Sequence, residues 1–460
     1  MGYEMNKSKV ISSLVWKLLE RTGTQGIQFI VQIVLARLLA PEQFGTVAIV
    51  MVFISLARVF VQSGLSTALI QKKEADEEDF SSVFYLSLAI SGFFYFIIYI
   101  LAPYIGTFYN DGALIPVLRV LALTLFPGAF NSIQNAFVSK NLLFKKLFKS
   151  SLGAIIISGI FGIVAAYLGL GIWALVIQHL VNQVSITIIM WFTVKWRPKP
   201  VFSISKIKGL FSFGWKLLAS SLLNVLYIDL RTLIIGRLYS PSTLGFYNRG
   251  QQFSKVIVTN IDGSIQSVML PTLSAHQDNK HRVKEMMRRA IVSSSFLVFP
   301  MMFGMAAVAE PLIKIVLTDK WLSAVPFLQI FCISYSLMPI HTSNLQAINA
   351  MGRSDIFLKL EIIKLFIGVD ATILAVIITG LAILLSISDS KFIKVLVNSK
   401  NLYVRFFFPF YLTSVLWGLH LIFSVVMFFG FNIYLTAQVE LILKISFFIY
   451  IFWFVYSLLN

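Results

Sequence analysis

Residues 12–39 read SSLVWKLLERTGTQGIQFIVQIVLARLL. As a helix this run is long enough to cross a hydrocarbon core about 30 Å thick. Its polar residues are ordered. Lys17, Arg21, Thr24, Gln28 and Gln32 fall within an arc of about 80° at roughly 100° per residue. The stripe extends about 22 Å along the axis at about 1.5 Å per residue. Facing lipid would cost roughly 2.5–3.5 kcal/mol for each central charge, so this stripe must face protein or water.

Similar apolar runs recur along the whole chain. Of 460 residues, 58% are hydrophobic and 13% charged, with a mean hydropathy of +0.83. That is too little polar surface for a soluble enzyme or a soluble repeat array, and too much apolar surface for a disordered chain. Runs of this length also differ from the short alternating strands of a membrane barrel. The composition predicts an all-α integral membrane protein. The formal charge is +18, with 38 Lys and Arg against 20 Asp and Glu. In a membrane protein such an excess belongs to cytoplasmic loops rather than to nucleic-acid binding. The single cysteine, Cys332, leaves no Cys-based metal site and no intrachain disulfide.

Apolar spans are expected at roughly 12–39, 43–69, 80–101, 115–138, 150–168, 171–194, 210–238, 243–272, 290–309, 322–350, 361–387, 405–430 and 434–459. Loops rich in Lys and Arg alternate with loops that have none, such as Pro41–Phe44, Pro103–Leu114, Gly169–Gly171 and Ser240–Leu244. By the positive-inside rule the N-terminus is cytoplasmic. The alternation breaks near Lys391, Lys394, Lys400 and Arg405. Either a weak further span lies near 386–404 or the C-terminal pair is inverted. The expected number of transmembrane helices is 12–14.

The chain also repeats itself. Trp16-Lys17-Leu18-Leu19 returns as Trp215-Lys216-Leu217-Leu218. Arg37-Leu38 with Pro41 and Gly45 returns as Arg237-Leu238 with Pro241 and Gly245. Pro127 with Gln134 returns as Pro339 with Gln346. This predicts two repeat-related six-helix lobes around a central cavity, related by a pseudo-two-fold axis along the membrane normal. The expected division is an N-terminal lobe over 10–194, a basic cytoplasmic linker over 195–209, a C-terminal lobe over 210–390, and a basic loop with extra helices over 391–460.

Polar faces recur on the repeat-related spans. The second carries Ser55, Arg58, Gln62 and Ser66; the seventh Lys216, Ser220, Asn224, Tyr227 and Arg231; the eighth Gln252, Lys255, Thr259, Asp262 and Gln266. Together with the first span these faces are expected to line one cavity. Its bases would be Lys17, Arg21, Arg58, Lys216, Arg231, Arg249 and Lys255, and its amides would include Gln28, Gln62 and Asn224. A base-dominated cavity suits an anionic cargo. Arginine offers a planar donor fork to phosphate oxygens, while amides and hydroxyls suit sugars. Asp229 and Asp262 are the candidate ion-coupling acids. Bland readings stand beside these: Lys17 and Lys216 can snorkel at helix ends, Arg37 and Arg237 can anchor helix termini, and His179 can be a bonded core histidine. The acidic run Glu74–Asp79 reads as helix N-terminal charge rather than a metal site. No GxSxG, HExxH or Walker sequence is present, so the chain reads as a non-enzyme.

Several stretches resemble a known family. Leu35-Ala36-Arg37-Leu38-Leu39-Ala40-Pro41-Glu42-Gln43-Phe44-Gly45 is one, followed by Ser63-Gly64-Leu65-Ser66-Thr67-Ala68-Leu69-Ile70-Gln71-Lys72-Lys73 and Asp79 with Ser82-Val83-Phe84. Ile235-Gly236-Arg237-Leu238-Tyr239-Ser240-Pro241, Leu244-Gly245-Phe246-Tyr247-Asn248-Arg249 and Pro271-Thr272-Leu273-Ser274 complete the set. Together they resemble the polysaccharide-transporter branch of the multidrug/oligosaccharidyl-lipid/polysaccharide flippase superfamily, nearest its lipopolysaccharide, colanic-acid and teichuronic-acid exporters. The resemblance covers about residues 8–365. It implies a flippase in the bacterial inner membrane that moves undecaprenyl-diphosphate-linked oligosaccharide by alternating access, for O-antigen, capsule or exopolysaccharide synthesis. It implies drive by an ion gradient and a polysaccharide polymerase as a possible partner. No cofactor and no metal are expected, and the chain is expected to contact membrane lipids as a monomer. Two alternatives remain: an ion-coupled multidrug/cation antiporter of the same fold, which would want an acidic cavity, and a membrane-embedded polymerase or glycosyltransferase, which would want an acid/base pair.

Overall fold

Proline opens two of the helices. Pro41 and Pro241 each sit at the first helical position, where the missing N–H costs nothing and the fixed φ suits the helix. The computed structural model describes residues 7–350, apart from 63, 73–74, 275 and 277–278. Every regular element among the described residues is helical: α1 (Lys7–Leu38), α2 (Pro41–Gln62), α3 (Leu65–Gln71), α4 (Glu77–Tyr109), α5 (Leu114–Ala122), α6 (Leu125–Lys140) and α7 (Phe144–Tyr167). After these come α8 (Ile172–Thr193), α9 (Ile204–Leu238), α10 (Pro241–Ser274), α11 (Lys280–Ala307), α12 (Ala309–Leu317), a short 3-10 turn (Asp319–Ala324), α13 (Val325–Ser336) and α14 (Met338–Ala350).

Eight segments among the described residues are long and apolar enough to cross a membrane. They are Pro41–Gln71, Glu77–Tyr109, Leu114–Lys140, Phe144–Tyr167, Ile172–Thr193, Leu217–Leu238, His281–Ala307 and Asp319–Ile348. The protein is therefore a multi-pass, all-helical membrane protein. Two helices of spanning length are too polar to join that set: α1, with 32 residues, and α10, with 34. The expected spans from 12–39 to 322–350 all have helical counterparts. Those at 361–387, 405–430 and 434–459, and the segment 391–460, lie outside the described residues.

Local chemistry sets the helix ends. Asp76 caps α4: its side chain accepts the Asp79 N–H at 2.8 Å, and the Asp79 carboxylate accepts the Asp76 N–H at 3.0 Å. The acidic run thus belongs to a capping box. The Asp79 side chain, fully buried, pairs with Lys72 at 2.6 Å. Segment 195–203 is strapped along this same helix start. Trp196 lies buried among Phe80, Phe84 and Phe137, with ring centroids 5.9–6.4 Å away. The Lys199 and Ser203 amides donate to Ser81 and Ser82 Oγ at 3.0 and 2.9 Å. Lys206 closes the strap on Asp76 at 2.6 Å. This pair, led by the Lys206 hydrogen bond, holds the Asp76 carboxyl down at about 2.

At the opposite, lysine-poor end, α2 packs on α10 through the repeated motif. A methyl at Gly45 would overlap the Pro241 carbonyl, and a methyl at Gly245 would overlap the Pro41 carbonyl. The contact is reciprocal: each copy of the motif places its glycine on the proline of the other. The two repeated arginines also cross over. Arg37 at the end of α1 donates to the Ile315 carbonyl in α12 at 2.7 Å. Arg237 at the end of α9 lies over the Phe108 ring of α4 at 4.9 Å. Both were expected as helix-terminus anchors, and each reaches from the end of its own helix to a distant one. Trp321 locks this end, donating to the Ala36 carbonyl at 2.8 Å and packing edge-on to Phe44 and Phe246.

Candidate functional site

Between α1, α7, α8 and α10 lies a cavity of about 600 Å³. Helix α1 contributes Thr24, Gln25, Gln28 and Phe29, and α7 contributes Ile155. Helix α8 adds Gln178, His179 and Asn182. Helix α10 supplies Asn248, Gln251, Gln252, Lys255, Val256 and Thr259. Of these fourteen side chains three are apolar, seven are amides, and none is a carboxylate. The reason α1 and α10 are too polar for lipid is now visible: their polar stripes form this wall. The α1 stripe continues past the cavity to Gln32, which accepts from Arg249 at 2.7 Å.

The expected site residues separate into three groups. Gln28 and Lys255 line the cavity. Lys255 stands near the midpoint of α10 and its ammonium makes no ion pair among the described residues. Its charge acts on Asp229, which accepts a 2.7 Å hydrogen bond from Ser55 Oγ across the α2–α9 contact. Arg58 lies behind the cavity wall, where its charge acts on His179. Its Nε is buried and has no hydrogen-bond partner.

A second group is engaged elsewhere. Arg249 is buried, 6% exposed, and held by protein groups alone. It donates to Gln32 and Gln252 and stacks over Phe44 at 4.1 Å. Gln62 donates to the Gly128 carbonyl at 3.0 Å and faces α6. Arg231 donates to the Tyr247 hydroxyl. Lys17 pairs with Glu20 at 2.8 Å and lies over Phe144. Asp262 is buried within α10, and Asn224 is exposed on α9. In the third group, the side chains of Arg21 and Lys216 lie outside what the structure describes. Four polar faces were expected to share one cavity. The structure gives the wall to α1 and α10, and the polar groups of α2 and α9 mostly bond to neighbouring helices.

Residues 34–326 match the family described as polysaccharide biosynthesis protein. The chain belongs to this family. Among its relatives is the succinoglycan biosynthesis transport protein ExoT of Rhizobium meliloti (strain 1021), 24% identical over 78% of this chain and 73% of that protein. The lipopolysaccharide biosynthesis protein WzxC of Escherichia coli (strain K12) is 24% identical over 80% of this chain and 75% of its own. The teichuronic acid biosynthesis protein TuaB of Bacillus subtilis (strain 168) is 27% identical over 65% of this chain and 62% of its own. In fold, the chain is similar to the lipid II flippase MurJ in an inward closed conformation, with a TM-score of 0.64 at 14% identity over 90% of this chain and 99% of that one. An inward-facing multidrug MATE transporter follows, with a TM-score of 0.53 at 16% identity, covering 88% of this chain and 96% of the other.

For this member of the family the sequence concealed the α8 face. Gln178 and Asn182 stand one turn apart and His179 beside them, a polar spacing that fits a helix face. They lie among apolar neighbours and carry no formal charge except through His179, so a search led by charge passes over them. His179, expected as a bonded core histidine, stands in the cavity wall.

Proposed function

We propose that this chain is a flippase for lipid-linked oligosaccharide in polysaccharide biosynthesis, working by alternating access. The observation that carries the reading is the amide-rich, carboxylate-free cavity inside a membrane-spanning bundle. Such a wall offers hydroxyl-sized donors and acceptors and no carboxylate pair for acid/base chemistry. Family membership, relatives named for succinoglycan transport and for lipopolysaccharide and teichuronic acid biosynthesis, and the fold of a lipid II flippase support the same reading.

The cargo's diphosphate is met by bases, with Arg58, Lys17, Arg21 and Lys216 toward the lysine-rich end and Arg231 nearer the lysine-poor end as the candidates. The sugars occupy the amide-lined cavity, and the prenyl tail remains in lipid. The lysine-rich end faces the cytoplasm, the membrane is the bacterial inner membrane, and the protein is organised as two six-helix lobes. The reciprocal Gly–Pro contact supports the two-fold relation between those lobes. An ion gradient supplies the drive, with Asp229 or Asp262 as the coupling acid. A polysaccharide polymerase would receive the product, and the flippase acts as a monomer.

The test is flipping of a fluorescent prenyl-diphosphate oligosaccharide in proteoliposomes, comparing the native chain with Arg58→Ala, Arg21→Ala and Arg231→Ala. Arg58→Ala is expected to lower transport most, because its Nε is buried without a hydrogen-bond partner among the described residues. Absence of flipping by the native chain, together with ion-coupled export of cationic dyes, would instead make it a drug antiporter.

A further inference from the structure

Among the described residues that line the cavity, one carries a permanent positive charge. That charge is Lys255, placed near the midpoint of a 34-residue helix. A lysine at this depth is costly unless water or an anion meets it. Its ammonium is exposed and makes no ion pair among the described residues. The acid that feels its charge, Asp229, is already bonded to Ser55 at 2.7 Å. Around Lys255 the described wall is mostly amide and hydroxyl: Asn248, Gln251, Gln252 and Thr259 lie along the same helix, with Gln178 and Asn182 on α8 beside His179. Gln178 is 1% exposed, and its Oε1 has no hydrogen-bond partner. A buried carbonyl oxygen without a donor calls for one from outside the protein.

The charge count decides what occupies such a wall. A diphosphate brings at least two negative charges, and one lysine would leave the remainder uncompensated. A single carboxylate on a sugar would be balanced one to one. The hydroxyls around it can both donate to amide oxygens, such as Gln178 Oε1, and accept from amide N–H groups.

We propose that Lys255 is a specificity-determining residue that selects cargo whose sugar portion carries a carboxylate, as in a uronic acid, with the amides holding the flanking hydroxyls. This rests on the flippase reading above and refines it. Lys255 thus reads the glycan, while the diphosphate is read elsewhere.

The experiment uses the full chain in proteoliposomes and two prenyl-diphosphate trisaccharides that differ in one residue, glucuronate in one and glucose in the other. The readout is the ratio of their initial flipping rates. The native chain is expected to prefer the acidic cargo by about tenfold, the scale of one well-placed charge pair. Lys255→Gln should bring the ratio close to one. Lys255→Arg should retain the preference. Lys255→Glu should invert it and favour a third cargo carrying a glucosamine in the same position. Size-exclusion profiles and melting midpoints establish that each variant is folded. Equal rates for the two cargoes in the native chain overturn the specificity and leave the flippase standing. A Lys255→Gln variant that slows both cargoes alike, with an unchanged ratio, overturns the proposal by giving Lys255 to the diphosphate. Flipping of neither cargo by the native chain removes the flippase reading, and this inference with it.

Discussion

Gly45 lies directly against the Pro241 carbonyl, and the repeat-related Gly245 against the Pro41 carbonyl. No side chain fits either place without moving a backbone. This contact closes the lysine-poor end of the bundle, so a transporter that opens there must part it. Gly45→Ala should wedge α2 from α10 at a cost of about 1–3 kcal/mol to the closed arrangement. A shift of that size moves a two-state equilibrium by roughly 5–150-fold. Spin labels on Gln43 and Thr243 should report a longer distance, and flipping should fall. Gly92→Ala is the control, since a Cβ there meets nothing within 4 Å. An unchanged label distance in Gly45→Ala would show that this contact does not hold the end shut.

Arg249 makes a different prediction from the other bases. It is buried, and its hydrogen bonds go to Gln32 and Gln252, with Phe44 beneath the guanidinium. Arg249→Ala should destabilise the protein by about 2–4 kcal/mol through lost charge-assisted bonds and cation–π contact. Arg249→Lys should rescue little, because an ammonium cannot reach two amides and stack on a ring together. Melting midpoints in detergent check both. A substitution that leaves the midpoint unchanged while weakening cargo binding would move Arg249 from strut to cargo contact.

Arg249 also shows where sequence reading stops. Helical spacing placed the α1 stripe correctly, because the angle between Thr24, Gln28 and Gln32 is fixed by backbone geometry. The long spans were legible for a similar reason: hydrocarbon thickness sets their length. Spacing says nothing of which distant helix a face will meet. Gln32 and Arg249 are 217 residues apart in the chain. Gln62 lies on a polar face like Arg58, yet it ends on the Gly128 carbonyl of α6. The cavity was therefore legible on α1 and α10, where charge and stripe coincide. It was hidden on α8, whose contribution is mostly neutral amides among apolar neighbours.

Acid should loosen the strap at the lysine-rich end. The Asp76 carboxyl is held down at about 2, chiefly by its hydrogen bond from Lys206. A depressed carboxyl stabilises the fold above its unfolded value of about 4, and that stability is lost as pH falls toward about 2. Asp76 is exposed and Lys206 partly so, and salt therefore weakens the effect. Melting midpoints should fall between about pH 4 and 2, with a smaller acid response in Asp76→Asn. At neutral pH the same variant should speed hydrogen exchange at the Lys199 and Ser203 amides, which donate to Ser81 and Ser82. Native-like exchange in Asp76→Asn would mean that Trp196 and its aromatic neighbours hold the strap without the ion pair.

Asp229 accepts from Ser55 where α9 meets α2, and feels the Lys255 charge from the cavity side. A carboxylate placed between a cross-helix bond and a cavity-lining cation can transmit its protonation or ion binding to both. Asp229→Asn retains an oxygen for the Ser55 hydroxyl and removes only the charge. In proteoliposomes, imposing a proton or sodium gradient should speed flipping by the native chain, and flux with and without the gradient should become equal in Asp229→Asn. Asp262 is buried within α10 and is not among the residues that line the cavity, and Asp262→Asn is expected to keep the gradient effect. The reverse pattern, with the effect surviving in Asp229→Asn and lost in Asp262→Asn, would move the coupling to α10 and leave Asp229 as a partner of Ser55 alone.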